Sequence, residues 1–445
     1  MGIPCDNPAM SRPPATRSII LVLTLSALVL ACDPAAVSPS PTASASPSAA
    51  PSPSGAPSPS AGSASPGSSQ DASATFDQIE GQVSTLRELK ATKKVEREVI
   101  DEATLKKMLA EEQAKQTPPE IVAANERLYK ALGLLPADAD LNALTLEMLG
   151  AGVAGFYDDD QGKMFVVSRS GAVGAAEQVT SAHEYTHALQ DQNFTVFKDQ
   201  KDVKDQSDWF LARQAVFEGD ATVVMSYWAV AHLTPAQLAE YAAAGSDPAT
   251  QAVLAKLPPI MTETLTYPYT TGAFYVQSAQ LAGGWSAVDD FYARMPESTE
   301  QILHPEKYAA KEGPVDVGLP TDIATRLGSG WTVPMTDSFG ELQDGIWLRL
   351  SGVLKADADA AAAGWGGDRL AVIEGPDGAW AVAIKTAWDT TADATEFETA
   401  ATIALAKAQG IAKVLPGEGG KVRWVLVAND AATMSRVAGA LGLAG

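Results

Sequence analysis

The stretch Val179-Thr180-Ser181-Ala182-His183-Glu184-Tyr185-Thr186-His187-Ala188-Leu189-Gln190-Asp191-Gln192 decides how this 445-residue chain is read. Val179, Ala182, Thr186 and Leu189 form a stripe that presses one side of a helix against a core, so a helix is expected from about Ala175 to Gln192. His183 and His187 are four residues apart on it, which sets them on one face, offset by about 40° and roughly 6 Å apart along the axis. Two imidazoles so placed can hold one ion together. Zinc takes such ligands in tetrahedral geometry, and a catalytic site keeps three protein ligands and one water. Glu184, beside the first histidine, can reach that water as a base.

Both cysteines, Cys5 and Cys32, precede residue 33, so the rest of the chain has no thiolate to offer and any metal there must sit on His, Glu or Asp. The third ligand is expected to be Glu218, 31 residues beyond His187 in Ala215-Val216-Phe217-Glu218-Gly219-Asp220-Ala221. That segment lies in a helix, Ala212 to Ala231, that is apolar nearly all round, where a carboxylate without a cation is expensive to bury. Gly219 beside it lets two helices approach closely. Asp191, Asp199 and Asp220 are the alternatives.

Outward from this centre, Val153–Tyr157 and Lys163–Ser168 flank Asp158-Asp159-Asp160-Gln161-Gly162, the signal of a β-hairpin. Residues 76–131 have a helical pattern, with charged runs such as Lys90 to Glu98 and a turn at Thr117-Pro118-Pro119, and residues 238–312 are mainly helical. After Gly328 the texture changes. Arg369–Glu374, Trp380–Trp388 and Val422–Val427 are expected as strands, with helices over Ala392–Gln409 and Ala431–Leu443. The fold class expected is α+β: a mainly helical domain over 76–328 with a small hairpin or sheet, then a small α+β domain over 329–445.

At the other end, Arg12 and Arg17 precede an apolar run, Ile19 to Leu30, that ends at Ala31-Cys32. A run of about 12 residues is too short to cross a bilayer as a helix, which needs roughly 20. The order is that of a secretory signal, and Val29-Leu30-Ala31-Cys32 resembles the site at which a bacterial lipoprotein is cleaved before a lipid-bearing cysteine. Residues 1–31 are thus expected to be a lipoprotein signal, with Met10 an alternative start, and Cys32 the lipidated residue. Leu30 departs from the commoner small residue at its position. Residues 32–75, almost wholly Pro, Ala, Ser, Gly and Thr, are expected to be a disordered stalk. The expected location is extracytoplasmic, anchored to the cell membrane. The net charge of −22 becomes −23 without residues 1–31, which hold Arg12, Arg17 and Asp6, so nucleic acid and anionic headgroups are poor partners.

With His183-Glu184-Tyr185-Thr186-His187 and the later Glu218, the chain resembles the gluzincins, the thermolysin-like zinc peptidases. It is similar more closely to a group of exported bacterial proteins within that class. Val153–Asp158, His183–Gln192, Glu218–Ala221 and Ser298–Tyr308 carry the resemblance, which covers about residues 95–310, with looser likeness in Gly364–Asp368 and Trp388-Asp389-Thr390. It implies a zincin-like domain over 76–328, a Zn2+ cofactor and hydrolysis of a peptide or protein substrate. It also implies a substrate lying extended beside Lys163–Ser168, since the strand before the metal helix commonly edges the cleft. In thermolysin an Asp follows the ligand glutamate by four residues; here that position is Thr222, which leaves the histidines' outer partner open.

Zinc and a base leave part of the transition-state charge without a donor. Outside the motif only His232 and His304 remain. His232 ends an apolar helix, where it serves as a cap. His304, held extended by Pro305, is therefore the expected catalytic donor, with Tyr308, Tyr267 and Tyr269 as alternatives. The competing reading is a zinc-binding or peptide-binding lipoprotein without catalysis. Other hydrolase signatures are missing: there is no Gly-x-Ser-x-Gly elbow and no phosphate loop, and Gly364-Trp365-Gly366-Gly367-Asp368-Arg369 lacks the third glycine of a dinucleotide fingerprint.

Overall fold

The computed structural model describes residues 22–25, 69–168, 171–194 and 203–443. The chain is α+β, mainly helical, with two small sheets. The first part comprises β1 (Val22–Leu25), α1 (Ser69–Arg87), β2 (Glu96–Ile100), α2 (Glu102–Gln116), α3 (Pro119–Ala131), α4 (Leu141–Gly152), β3 (Val153–Asp158) and β4 (Lys163–Val167). The central helices follow: α5 (Ala175–Asn193), α6 (Ser207–His232), α7 (Pro235–Gly245), α8 (Pro248–Leu254), α9 (Pro259–Tyr267), a π-helical turn (Pro268–Gly272) and α10 (Ala273–Ala293). Short helices α11 (Thr299–Leu303), α12 (Pro305–Ala310) and α13 (Ile323–Leu327) lead to β5 (Thr332–Asp337), α14 (Gly340–Leu350), α15 (Lys355–Ala362), β6 (Trp365–Glu374), β7 (Trp380–Trp388), α16 (Thr391–Ala404), β8 (Ile411–Pro416), β9 (Val422–Ala428) and α17 (Ala431–Ala440).

The first sheet has the order β1-β3-β4-β2. β3 and β4 form the expected hairpin, antiparallel, with Phe156 opposite Phe165 and their rings stacked at 4.7 Å. β2 adds to β4 in parallel. This corrects the helical reading of Lys90 to Glu98: Glu96–Glu98, at the end of that run, lie in a largely exposed outer strand whose partner is 67 residues away (Glu96 opposite Lys163), and no local pattern announces such a pairing. The helix of this region, α1, begins at Ser69, inside the stretch read as stalk, because Phe76, Ile79 and Val83 give it a buried face from which it extends backward. Val22–Leu25, within the expected signal, pairs antiparallel with the outer edge of β3. Cys32 and residues 26–68 lie outside the described residues.

The second sheet has the order β5-β6-β7-β9-β8, antiparallel throughout. Side chains alternate across a strand, and here both faces are covered. Leu370, Val372, Val382, Ile384, Val425 and Val427 pack with Phe397 and Ala401 of α16, whereas Ala371, Ile373, Ala381, Ala383 and Leu426 pack with α13 and α17. The strands β5 and β8, at the two edges, were not expected; their burial is patchy, so their sequences lack a clear apolar run. The first of these cores also contains Leu128, Leu141, Met148, Phe156 and Met261, so residues on both sides of position 328 share it.

α5 is buried on every side from Val179 to Gln190. It lies between the first sheet and α6, flanked by α1 and α7. Gly155 on β3 is what lets the sheet come this close, since a Cβ there would stand 2.6 Å from Thr180 Cγ2 and 3.2 Å from Glu184 Cγ. Among the described residues no helix is long and apolar enough to cross a membrane.

Candidate metal centre

α5 and α6 bring His183, His187 and Glu218 together, each fully or almost fully buried, with one ligand atom from each lying within 4.8 Å of the other two. His183 Nε2 lies 2.9 Å from His187 Nε2 and 3.1 Å from Glu218 Oε2, and His187 Nε2 lies 3.5 Å from that same oxygen. Ligands at about 2.0–2.1 Å from a tetrahedral zinc are separated from one another by about 3.3 Å. The donor spacing brackets what one such ion requires, and two imidazole nitrogens with one carboxylate oxygen suit several divalent metals, zinc among them.

The electrostatics follow from burial. Burial holds the His183 imidazole down at about 4 despite the Glu218 carboxylate beside it. Burial also opposes charge on His187 and on Glu218, but the hydrogen bond and attraction of Glu218 raise His187, and the hydrogen bonds of His183 and His187 lower Glu218 from its ordinary value.

Of the alternative ligands, Asp191 accepts a bond from Tyr157 Oη at 2.9 Å, Asp199 lies outside the described residues, and Asp220 stands behind the histidines. His187 Nδ1 donates to Gln190 Oε1 at 2.8 Å. Gln190 Nε2 in turn donates to Asp220 Oδ2 and to the Phe217 carbonyl, both at 3.1 Å. Asp220 is held by Tyr292 Oη at 2.6 Å and by Arg87 Nε at 2.8 Å, and Arg87 extends to Asp289 at 2.7 Å. This network answers the question raised by Thr222, whose hydroxyl finds no hydrogen-bond partner among the described residues. The sequence carries a local trace of Gln190, three residues after His187, and of Asp220, two after Glu218. Arg87 and Tyr292 leave none.

The π turn supplies a further group. α6 and this turn touch backbone to backbone: a Cβ on Gly219 would sit 2.5 Å from the Gly272 carbonyl oxygen, and one on Gly272 2.4 Å from that of Ala215. The approach stacks Tyr269 on His183, with ring centres 6.3 Å apart, and sets its hydroxyl against Glu218. Burial, then the Glu218 carboxylate, push that phenol well above its ordinary value, so it stays a proton donor. π turns inside helices recur at functional sites.

His304 is not brought to this centre. Its Nε2 lies 2.8 Å from Glu341 Oε1, and it lines a different cleft with Glu341, Arg349 and Tyr267. Glu341 is also the main reason its imidazole is raised. The cause is local: His304 joins α11 to α12, and α14, from beyond position 328, packs on α11. Tyr308 Oη is bonded to the Arg294 carbonyl at 2.7 Å, and Tyr267 Oη faces the Thr299 carbonyl at 3.5 Å. The motif around His304 instead ties the chain together, since Lys307 Nζ bonds Glu300 and, at 2.5 Å, Asp389.

A sequence family described as a domain of unknown function, DUF8575, matches residues 327–440. That span holds the second sheet and α14 to α17 and none of the three buried ligands. No curated protein and no solved structure matches the chain.

Proposed function

We propose that the chain is a zincin-like, zinc-dependent endopeptidase acting on peptide or protein substrates outside the cytoplasmic membrane, to which lipid on Cys32 anchors it. One observation carries the reading. His183, His187 and Glu218 present donors 2.9–3.5 Å apart, with the acid Glu184 next to the first of them on the same helix. These three residues would hold the Zn2+, which supplies a Lewis acid for the scissile carbonyl and makes water acidic at neutral pH.

The chain's own groups do the rest. Glu184, close enough to act electrostatically on both His187 and Tyr269, takes the proton of the attacking water and passes it to the leaving amine. Tyr269 donates its phenol proton in a hydrogen bond to the oxyanion. Gln190 keeps the proton of His187 on Nδ1, so that the lone pair of Nε2 faces the other two donors. The expected docking beside Lys163–Ser168 needs revision, because β4 is paired on both sides, by β3 and β2. The outer edge of β3 is taken by Val22–Leu25, which lies within the signal proposed to be removed on export, so that edge is left open in the exported protein. An extended substrate is therefore assigned to that edge.

The test is metal analysis joined to digestion of a diverse peptide mixture. Wild type is expected to hold one zinc and to cleave, and Glu184→Gln to hold zinc without cleaving. Stoichiometric zinc with no hydrolysis of any peptide by wild type favours the alternative, a zinc-binding or peptide-binding lipoprotein without catalysis. Cys32→Ala is expected to leave the membrane fraction, and full retention there removes the lipid anchor at that residue.

A further inference from the structure

A second cavity, of about 420 Å³, lies between α9, α14 and α15. It is distinct from the space beside the candidate centre: Pro268 and Tyr269 share a wall with Glu218, whereas their chain neighbours Tyr267, Thr270 and Thr271 line this cavity, and no residue lines both. We infer that this cavity binds a short peptide of two or three residues by its two free ends, the ammonium at Glu341 and the carboxylate at Arg349 and Lys355. The inference does not depend on the peptidase reading. The volume lies in the range of pockets that enclose small ligands, roughly 300–1,000 Å³.

The charges of the wall decide the ligand class. Three acids, Glu263, Glu341 and Asp359, pair there with three bases, Arg349, His304 and Lys355 respectively, so the lining is electrically balanced. A ligand of net charge would leave that charge uncompensated in a partly desolvated site, whereas a zwitterion would not. The pairs also leave hydrogen-bonding capacity at two separate places. Glu341 is buried; its Oε1 lies 2.8 Å from His304 Nε2, and its Oε2 has no hydrogen-bond partner among the described residues. Arg349 uses Nη1 and Nη2 on Glu263, and Lys355 meets Asp359, yet a guanidinium has five N–H donors and an ammonium three. An acceptor is thus open at the buried end and donors at the exposed end.

The spacing sets the length. Glu341, Gly345 and Arg349 follow at intervals of four on α14 and so share one face, the first and last about 12 Å apart along the axis. Two or three residues of extended peptide span about 7–11 Å, and the long side chains of Arg349 and Lys355 close the remainder; a single amino acid is too short to reach both ends. Gly345 stands between them. A glycine inside a helix costs stability relative to alanine, and packing does not demand one here, since a Cβ would meet only Ala362, at an ordinary 3.6 Å. Without a side chain it leaves the floor open between the two charged ends, where Leu303, Leu342 and Ile346 supply an apolar lining.

The experiment is calorimetric titration of the full chain carrying Glu184→Gln, in which hydrolysis is blocked under the proposed function, with tri-alanine, its N-acetyl and C-amide forms, and alanine. Tri-alanine is expected to bind, each blocked form about 10–100-fold more weakly, and alanine more weakly still. Adding Glu341→Gln is expected to abolish the difference between free and acetylated peptide. Adding Gly345→Leu is expected to lower affinity at least about 10-fold in a chain whose urea midpoint is unchanged or higher. No binding at millimolar tri-alanine, equal binding of free and blocked peptides, or full affinity in a folded Gly345→Leu chain overturns the inference. Binding that disappears on zinc removal or with Glu218→Ala places the peptide at the candidate centre instead and overturns it as well.

Discussion

Arg87 offers the sharpest test of the network behind the candidate metal centre. Its guanidinium and the Asp220 carboxylate are both completely buried, with Nε and Oδ1 2.8 Å apart, and the guanidinium also lies 4.7 Å above the centre of the Trp285 ring. Arg87→Met keeps most of the apolar stem but leaves Asp220 as a buried anion without its cation. Removing one member of a buried pair costs about 3–5 kcal/mol. The lower end is expected, since Asp220 retains donors in Tyr292 Oη and Gln190 Nε2. With a urea slope of at most about 3 kcal/mol/M, a loss of about 3 kcal/mol lowers the unfolding midpoint by at least about 1 M. The measurement is urea unfolding of metal-free protein, followed by fluorescence, on Arg87→Met, Asp220→Asn and the double variant. The double variant no longer buries an unpaired charge, so it is expected to be more stable than the sum of the two single losses implies. An Arg87→Met loss below about 1 kcal/mol, or strict additivity, would refute the idea that this pair fixes Asp220 behind the histidines.

Under the proposed function, Gln190→Ala is expected to weaken zinc binding about 10–100-fold in a competition titration with a chelator, and unchanged affinity would show that Gln190 does not orient His187. Tyr269→Phe is expected to lower kcat by about 10²–10³ at full zinc content, whereas His304→Ala, in its separate cleft with Glu341, is expected to keep kcat within a few-fold. The reverse pattern would return the oxyanion role to His304. Stability should also depend on pH through carboxylates buried where the two parts of the chain meet. Burial raises Asp208, Glu341, Asp344 and Asp368, the last to about 6, and Asp344 has no hydrogen-bond partner on either oxygen among the described residues. A carboxyl raised on folding contributes its stability in full below the unfolded value and loses it as pH rises through the folded one. For Asp368, raised from 3.8 to about 6, this means a loss of about 3 kcal/mol spread over roughly pH 3 to pH 7. Asp344→Asn should therefore stabilise the protein at pH 8 and have little effect at pH 4, as read by urea unfolding at both; equal effects at the two values would contradict the assignment.

Much of the candidate site is legible in the chain because it is written at helical spacing. The separation of His183 and His187 is a consequence of 3.6 residues per turn, and the cost of burying Glu218 in an apolar helix marks it out before any neighbour is known. The β3–β4 hairpin and strands such as Trp380–Trp388 are legible for the same kind of reason, since local periodicity and turn residues suffice. What the tertiary structure alone decides are the meetings between segments distant in the chain. It adds the polar strand β2 in parallel to β4, and it places Arg87 and Tyr292 on Asp220. It turns His304 toward Glu341 and, through two glycines that let backbones touch, sets Tyr269 beside Glu218. None of these has a period or a spacing, because each depends on which surfaces pack best once the helices exist. Local pattern can name a residue that needs a partner, but the packing of the whole chain selects that partner.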